Sequence, residues 1–317
     1  MSEVILNLLP VKEEEKAEFE AIAPHAEHIY AGRRTVTEQQ LARATVIFGW
    51  PRARMLPSCA NLKWFQTMWA GADEYLNVLP RGVTLTSSSG CNARSVAEHM
   101  LSCTLALCRG LPAYRDSQRE HRWERENAMK TLLGATVLVV GAGNIGGTYA
   151  GMCRALGSHT IGVKRTAGPV EGFDEVYGLD TLDELLPRAD VVALIMPHNP
   201  QSVGLMSAER IAMMKDDAIL ISCGRGSVLD QDALVEQMQK GRLWGAALDV
   251  TEPEPLPADH PLWDIPNVIL TPHVAGNMLL EITRRTCIEM AQENLKKYLR
   301  GGKLDRVVAR GNFSGSL

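Results

Sequence analysis

The stretch TVLVVGAGNIGGTYAGMCRALGSHTIGVKR, from Thr136 to Arg165, carries the strongest structural signal in this chain. It opens with the apolar run TVLVV, which is typical of a strand buried on both faces of a parallel sheet. A glycine-rich turn follows, then a segment with helical character, then a second apolar run that ends in a basic pair. The order strand, glycine turn, helix and strand predicts a βαβ unit.

Gly141, Gly143 and Gly146 form the pattern GxGxxG directly after the first predicted strand. In a dinucleotide-binding unit the first glycine permits a tight turn, the second lets a pyrophosphate approach the backbone, and the third lets helix and strand pack closely. The pyrophosphate then binds N–H groups at the start of the helix, here at Asn144 and Ile145. The alternative is a structural turn, because glycines are common in loops.

The basic pair Lys164–Arg165 begins eighteen residues after Gly146, where a unit that binds NAD usually has an acidic residue. An acid accepts hydrogen bonds from the adenosine ribose, which neither basic side chain can do. Both can instead pair with a 2′-phosphate, and the Thr166 hydroxyl adds a donor. The pair therefore predicts NADP(H) as the preferred cofactor, with NAD(H) also possible. The alternative is a solvated pair on an NAD enzyme whose acid lies elsewhere.

The rest of the chain alternates short apolar runs with helical segments, which predicts α/β structure with parallel sheets. Its 317 residues are enough for two domains, each with its own core. We expect two doubly wound parallel-sheet domains, Rossmann-like and flavodoxin-like, with a cleft between them. Residues 98–276 form the dinucleotide-binding domain, and residues 1–97 with 277–317 form the substrate domain.

Predicted strands fall in both domains: Val4–Leu9, Ala44–Trp50, Leu62–Trp69, Val83–Ser87, Val191–Met196, Ala218–Cys223, Trp244–Val250 and Val268–Leu270. A long helical segment, from about Ala93 to Trp123, is interrupted at Gly110 and Pro112 and could join the domains. A last helix, from about Asn277 to Leu299, could return the chain to the first domain.

The composition is that of an ordinary globular protein, with 45% hydrophobic residues, 22% charged residues and a net charge of −4. This balance gives no broad positive field for nucleic acid or an anionic membrane. Seven cysteines form neither a CxxC pair nor a cluster with metal spacing, which predicts reduced thiols, a cytoplasmic location and no metal site. The N-terminus lacks the pattern of a signal peptide, and no stretch has the roughly 20 apolar residues of a membrane span.

Three later segments complete a pattern: ISCGRGSVLD, ALDVTEPEPLP and ILTPHVAGN. With the glycine loop, SVAEHML and MPHNPQSVGLM, they make nearly the whole chain resemble the D-isomer-specific 2-hydroxyacid dehydrogenase family. Within it, the glyoxylate/hydroxypyruvate reductases look most similar. The resemblance implies that the chain reduces a small 2-oxo acid to the D-2-hydroxy acid. It also implies a homodimer with its contact around residues 98–130.

The family's catalytic arginine, acid and histidine fall on Arg225, Glu254 and His273. The chemistry requires these residue types, because negative charge develops on the carbonyl oxygen as hydride arrives. His273 can donate the proton, since an imidazole titrates near neutral pH. Glu254 would favour the imidazolium and orient the ring. Arg225 can bind carboxylate and carbonyl oxygens together through its planar fork.

The resemblance implies further contacts to the cofactor and the substrate. It assigns cofactor contacts to Pro197, Cys223 and Asp249, of which the aspartate would hold the nicotinamide carboxamide. The family's carboxylate-binding loop matches WAGAD, from Trp69 to Asp73. There the N–H groups of Ala70 and Gly71 would bind the substrate carboxylate, with Trp69 beside them and with Arg225 and His273 as the other substrate contacts.

Several of these assignments have alternatives. Arg225 could form a surface ion pair, although an arginine between glycines after a buried run stands where open α/β sheets bind ligands. Glu252 competes with Glu254, and the spacing of 29 residues from Arg225 and 19 to His273 favours Glu254. Lone histidines are more often structural than catalytic, and His99 in the long helical segment is expected to be a packing residue.

Trp50, Arg52, Arg54 and Trp69 fall at or just after predicted strand ends of the first domain. Trp69 could wall the pocket for the substrate side chain, and either arginine could bind a second anionic group. The alternative is that the tryptophans pack and the arginines face water. Their sequence leaves the identity of the substrate open.

Other members of the family provide alternative functions. Phosphite dehydrogenases and other NAD-dependent members are compatible with the three catalytic residues. Formate dehydrogenases resemble the chain less, because they have glutamine at the position of Glu254. The family also contains transcriptional corepressors that sense the dinucleotide, and these can retain all three residues. The basic pair after the second strand disfavours an NAD sensor.

Overall fold

The computed structural model describes residues 2–125 and 128–311. The described α-helices are α1 Glu13–Ile22, α2 Glu38–Arg43, α3 Ala93–Cys108, α4 Leu111–Arg119, α5 Asn144–Ala155, α6 Leu182–Leu185, α7 Ala208–Met213, α8 Gln231–Gln239 and α9 Glu281–Leu299. The described strands are β1 Val4–Asn7, β2 Glu27–Tyr30, β3 Val46–Gly49, β4 Trp64–Thr67, β5 Thr84–Thr86, β6 Thr136–Val140, β7 His159–Lys164, β8 Glu175–Gly178, β9 Val191–Leu194, β10 Ile219–Ser222, β11 Gly245–Leu248, β12 Val268–Leu270 and β13 Val307–Arg310.

The chain divides into two compact units, and both are α/β as the sequence predicted. Residues 1–92 and 278–317 form the first unit, and residues 93–277 form the second. The sequence placed these divisions at 97/98 and 276/277 instead. The structural division falls before α3 because this helix packs along its length on α5 of the second unit.

The first unit contains a six-stranded sheet with the order β13-β5-β4-β3-β1-β2. Strands β1 to β5 are parallel, and β13 is antiparallel to β5 at the edge, which the sequence did not predict. Residues of the inner strands β3 and β4 alternate between two cores. Ile47 and Phe65 face one core, and Val46 and Trp64 face the other.

The second unit contains a seven-stranded parallel sheet with the order β12-β11-β10-β9-β6-β7-β8. Val137 and Val139 face one core, and Leu138 and Val140 face the other. Helices on both faces explain why strand β6 reads as an unbroken apolar run instead of alternating. The order of the strands reverses at β6, and the carboxyl edge beside such a reversal is where open α/β sheets bind ligands.

The predicted interruption of the long helical segment is confirmed. Helix α3 ends at Cys108, Gly110 has a φ of +63°, and α4 begins at Leu111. The last helix begins at Glu281, four residues later than predicted, because 278–280 form turns.

Candidate active site

The glycine loop follows β6 and packs against its neighbouring strands. Gly141 has a φ of +120°, and a Cβ there would lie 2.7 Å from the Ile195 carbonyl oxygen. A Cβ on Gly146 would lie 2.3 Å from the Gly141 carbonyl oxygen. The first and third glycines are thus required by the fold itself. A Cβ on Gly143 would meet no atom within 4 Å, so this position has open space where a ligand could approach the backbone.

Helix α5 begins at this loop, with Gly143 as its N-cap residue. The N–H groups of its first turn, which includes Asn144 and Ile145, have no acceptor within the helix. These groups and the positive end of the helix dipole favour an anion at this point. The open space at Gly143 and these donors fit the pyrophosphate of a dinucleotide.

The basic pair lies beside the glycine loop. The N–H groups of Gly141 and Ala142 donate to the Val163 carbonyl oxygen over 2.9 and 3.0 Å, one residue before Lys164. Arg165 and Thr166 follow the strand and are exposed. Within the described part of the chain, neither basic side chain has a carboxylate partner within 4 Å. Both can therefore bind an added phosphate without breaking an ion pair.

Pro197 and Cys223 come after β9 and β10, at the same edge of the sheet. The Pro197 carbonyl accepts a hydrogen bond of 2.6 Å from the Ser202 hydroxyl. The Cys223 N–H donates to the Leu194 carbonyl oxygen over 3.0 Å. Burial raises the pKa of the Cys223 thiol well above its usual value, so this side chain offers a neutral surface and no thiolate.

Arg225 lies between two glycines in the loop after β10. Its guanidinium donates to the Gly224 carbonyl oxygen over 2.9 Å. A Cβ on Gly226 would lie 2.1 Å from the Thr251 carbonyl oxygen, in the loop after β11. Gln231 adds to this contact by donating to the Glu252 carbonyl oxygen over 2.6 Å. The loop of Arg225 is therefore packed directly on the loop that leads to Glu254.

Glu254 is the carboxylate that contacts His273, over 2.9 Å between Oε2 and Nδ1. Its other oxygen, Oε1, accepts a hydrogen bond of 3.2 Å from the Thr251 N–H. Glu252 binds Gln231 through its main chain, so the two acids that competed in the sequence have different partners. Peptide bonds Glu252–Pro253 and Glu254–Pro255 are cis.

His273 lies in the loop after β12 with a φ of +51°. The backbone holds it there, because its N–H donates to the Asp249 main-chain oxygen over 2.8 Å. Its side chain is 48% exposed and that of Glu254 is 40% exposed. Glu254 occupies Nδ1, so Nε2 is the nitrogen that can exchange a proton with a ligand. The structure thus gathers Arg225, Glu254 and His273 on the loops after β10, β11 and β12.

Asp249 is 3% exposed, and its carboxylate binds the loop of His273. It accepts hydrogen bonds from the Thr271 hydroxyl, over 2.6 Å, and from the N–H groups of Val274 and Ala275, over 2.9 and 3.0 Å. A carboxylate has about four acceptor positions, so about one remains for a ligand amide. The sequence did not predict that Asp249 holds this loop. It also did not predict the contact of His99, whose Nε2 is 3.1 Å from the Thr271 hydroxyl oxygen.

The loop WAGAD follows β4 in the first unit. The Trp69 carbonyl accepts a hydrogen bond of 3.1 Å from the Ser88 N–H, which holds the start of the loop. The N–H groups of Ala70 and Gly71 have no acceptor among residues 2–125 and 128–311. Two adjacent N–H groups of this kind can receive a carboxylate.

Trp50 and Trp69 pack edge to face, with ring centroids 5.6 Å apart. The Arg33 guanidinium lies 3.5 Å from the centroid of the Trp50 ring, and the Trp50 indole donates to Glu74 over 2.6 Å. Trp50 is therefore fixed on several sides, and both tryptophans are half-buried. Arg52 and Arg54 are at the start of a short 3-10 helix, Ala53–Ser58, which begins just after Trp50.

In the described ranges, no three His, Cys, Asp or Glu side chains are placed to hold a metal ion. No helix in the same ranges has both the length and the apolar character needed to cross a membrane.

Comparison with known proteins gives matches over most of the chain. The model of the D-isomer specific 2-hydroxyacid dehydrogenase, NAD binding domain, matches residues 101–275, which is more than half of the 317 residues. A D-3-phosphoglycerate dehydrogenase of Methanocaldococcus jannaschii is 33% identical over 238 residues, 74% of this chain. The match spans only 44% of that longer enzyme.

Solved structures match nearly the whole chain. A D-isomer specific 2-hydroxyacid dehydrogenase family protein of Aeromonas salmonicida is 30% identical, with a TM-score of 0.86, and 98% of this chain and 99% of that one are covered. An NADPH-dependent glyoxylate/hydroxypyruvate reductase of Sinorhizobium meliloti, in complex with NADP and sulfate, is 26% identical with a TM-score of 0.82. That match covers 98% of this chain and 99% of the reductase.

Proposed function

We propose that this chain, which belongs to the D-isomer specific 2-hydroxyacid dehydrogenase family, reduces a small 2-oxo acid to the D-2-hydroxy acid with NADPH. The observation that carries the proposal is the contact of 2.9 Å between His273 and Glu254 at the carboxyl edge of the sheet that bears the glycine loop. A histidine that is oriented by a carboxylate, at the same sheet edge as Arg225 and two strands away from it, can transfer a proton to a substrate whose anionic groups bind the arginine.

Each side chain has a defined task in this proposal. A nicotinamide held by the second unit would supply the hydride for the carbonyl carbon. His273 gives the proton from Nε2 to the carbonyl oxygen, and Glu254 stabilises the imidazolium before transfer. Arg225 binds the carboxylate and offsets the negative charge that develops on the carbonyl oxygen. In the reverse direction, neutral His273 is the base.

The second unit is proposed to bind the dinucleotide, with preference for NADP(H). Lys164 and Arg165 are supported as the 2′-phosphate contacts by their position beside the glycine loop, with Thr166 as an added donor. The Sinorhizobium reductase, which is crystallised with NADP, supports the same preference. Asp249 has room for one more donor and is proposed to hold the nicotinamide carboxamide, with Pro197 and Cys223 as further contacts.

The first unit is proposed to bind the substrate. The N–H groups of Ala70 and Gly71 would receive the substrate carboxylate, since neither has another acceptor in the described chain. Trp69, with Trp50 packed against it, would contact the substituent on the 2-oxo acid. Glyoxylate and hydroxypyruvate are the substrates we propose first.

A homodimer and a cytoplasmic location complete the proposal. Large apolar side chains are exposed in the segment 98–130, including Leu111 at 54% and Trp123 at 98%. Exposed apolar groups of this size favour contact with another protein surface. Glu126 and Asn127 of this segment lie outside the described residues. All seven cysteines are free thiols, which favours a reducing compartment.

The proposal is tested by measuring oxidation of NADPH and of NADH with glyoxylate, hydroxypyruvate, pyruvate, phenylpyruvate and 3-phosphohydroxypyruvate. Chiral chromatography then gives the configuration of each product. We expect faster turnover with NADPH and D-hydroxy acid as product. Preference for 3-phosphohydroxypyruvate would contradict the proposed substrate, and equal rates with both cofactors would contradict the role of the basic pair. Tight dinucleotide binding with no turnover of any substrate would favour a sensor.

A further inference from the structure

His99 lies on α3 and contacts the loop that carries His273. Its Nε2 is 3.1 Å from the Thr271 hydroxyl oxygen, and the same hydroxyl is 2.6 Å from the Asp249 carboxylate. The His99 side chain is 21% exposed and that of Asp249 is 2% exposed. The three side chains form a mostly buried chain of hydrogen bonds from α3, through Thr271 after β12, to Asp249 directly after β11.

Chemistry determines the direction of each bond in this chain. A carboxylate only accepts hydrogen bonds, so the single Thr271 hydroxyl proton points to Asp249. The Thr271 oxygen can then accept, and His99 Nε2 carries the proton that it accepts. His99 therefore fixes Thr271 in the rotamer that binds Asp249.

Asp249 connects this chain to His273. Its carboxylate accepts from the N–H groups of Val274 and Ala275, and its main-chain oxygen accepts from the His273 N–H. His273 has a φ of +51°, which a residue with a Cβ adopts only when its surroundings impose it. The bonds to Asp249 hold this backbone, together with a bond of 3.0 Å from the His273 N–H to the Thr271 carbonyl oxygen, so the orientation of the imidazole depends on where Asp249 and Thr271 are held.

We propose that His99 is a positioning residue for proton transfer by His273, acting through Thr271 and Asp249. This inference rests on the proposed function. When the side-chain N–H of His99 is lost, the Thr271 side chain can rotate, and Asp249 then loses a fixed partner. As a result, His273 presents Nε2 to the substrate less often. Proton transfer occurs in the transition state, so the effect falls on kcat and leaves KM nearly unchanged.

A packing role makes a different prediction for the same residue. Leucine has a side chain of similar volume that carries no N–H donor. Glutamine instead places a side-chain amide N–H close to the position of His99 Nε2. His99→Leu should therefore lower kcat about tenfold, as expected for one net hydrogen bond, and His99→Gln should recover most of it. Equal kcat in His99→Leu and wild type would overturn the proposal, as would equal losses in both variants.

A double-mutant cycle tests the path through Thr271. Thr271→Val removes this link and also the hydrogen bond from Thr271 to Asp249, so it should lower kcat by at least about tenfold. Because both changes break one chain, the double variant should be no slower than the slower single variant. If the kcat losses of the two single variants instead multiply in the double variant, the proposed coupling is overturned. Thr271→Val also tests the chain if His99→Leu fails to fold.

Hydrogen exchange gives a readout that needs no turnover. The Val274 and Ala275 amides, which are bound by Asp249, should exchange about tenfold faster in His99→Leu than in wild type and should stay protected in His99→Gln. Unchanged protection in His99→Leu would overturn the structural part of the inference. If wild type reduces none of the 2-oxo acids while the amides behave as expected, the proposed function fails and the hydrogen-bonded chain stands.

Discussion

Gly226 lies so close to Thr251 that a Cβ on residue 226 would be 2.1 Å from the Thr251 carbonyl oxygen. The atom in the way belongs to the backbone, so it cannot rotate aside. This contact joins the loop of Arg225 to the loop of Glu254, and the geometry of the proposed catalytic site depends on it.

Gly226→Ala should therefore displace Arg225 and lower kcat/KM for the 2-oxo acid by about 100-fold, since small displacements of catalytic groups have effects of this size. Steady-state kinetics measure the loss. Gly151→Ala is the matched control, because its Cβ would meet its nearest neighbour at an ordinary 3.7 Å. Wild-type kinetics in Gly226→Ala would contradict a role for this contact.

Arg165→Glu, alone or with Lys164→Asp, should raise KM for NADPH by about 10- to 100-fold, because one or two charge-assisted bonds to the 2′-phosphate are lost. KM for NADH should change by less than about threefold, since NADH has no such phosphate. Lys303→Glu reverses the charge of an exposed lysine in the other unit and controls for net charge. Equal effects on both cofactors would rule out phosphate recognition by the pair.

His273→Ala should lower kcat by about 10²- to 10⁴-fold, the usual contribution of a general acid. Fluorescence titration should give nearly unchanged affinity for NADPH, because the glycine loop and the basic pair are untouched. Glu254→Gln keeps a hydrogen-bond acceptor but removes the charge, so its loss of kcat should be smaller. Near-normal turnover in His273→Ala would reject this residue as the proton donor.

Arg284 forms a nearly buried ion pair that should make the first unit sensitive to acid. Its guanidinium binds both oxygens of Glu15, over 2.6 and 2.7 Å, and also contacts Glu281. The Arg284 side chain is 9% exposed. The guanidinium lowers the pKa of Glu15 and lowers that of Glu281 from 4.5 to about 2.

Carboxylates whose pKa is lowered in the folded state stabilise that state at pH values above their ordinary pKa, near 4.5. This stabilisation is lost as pH falls towards 2. Arg284→Met should lower Tm at pH 7 by about 2–4 °C and should weaken the fall in Tm between pH 5 and pH 3. Thermal unfolding followed by circular dichroism measures both effects. Arg285→Met is the control, since its pair with Glu289 is more than half exposed on both sides. A pH dependence identical to that of wild type would exclude this ion pair as its source.

Trp123→Glu tests the proposed dimer contact. The Trp123 side chain is 98% exposed in the single chain, so its replacement by a charged residue should not disturb the fold. The charge should disrupt an apolar interface formed by this side chain. Sedimentation velocity should then change from a dimer to a 34.8 kDa monomer. Trp263→Glu, at another exposed tryptophan, should leave the dimer intact. A Trp123→Glu variant that sediments as wild type would place the contact elsewhere.

The sequence predicted the inner strands well but, among the four edge strands of the described sheets, predicted only β12 and missed β2, β8 and β13. Strands β6 and β10 lie inside a sheet covered on both faces, so burial requires a continuous apolar run that is easy to recognise. Strands β2, β8 and β13 lie at sheet edges, and their residues are mostly exposed or half-buried. Their backbone pairing is imposed by a neighbouring strand, and their apolar runs of two or three residues share the strand with a charged residue, so they do not stand out as strands.

The site residues also differ in how clearly the sequence indicates them. The glycine loop, Arg225 and His273 stand next to strand ends, so motif and position both indicate them. The link from His99 to Asp249 joins residues 150 positions apart in the sequence, and only the folding of α3 onto the sheet brings them together. A histidine within a helical segment has no local signal that separates the proposed role from packing, so the sequence alone indicated only a packing residue at His99.

The three glycines of the GxGxxG loop should have different evolutionary fates. Gly141 and Gly146 are enforced by contacts within the protein, so their replacement would impair folding whatever the chain does. Gly143 has open space around it and a backbone conformation that alanine can adopt, so only the bound dinucleotide selects against a side chain there. A descendant that lost its cofactor would be expected to keep the two outer glycines and to drift at the middle one. Among related sequences, substitution confined to position 143 would therefore mark lineages in which a stable fold has outlived its enzymatic activity.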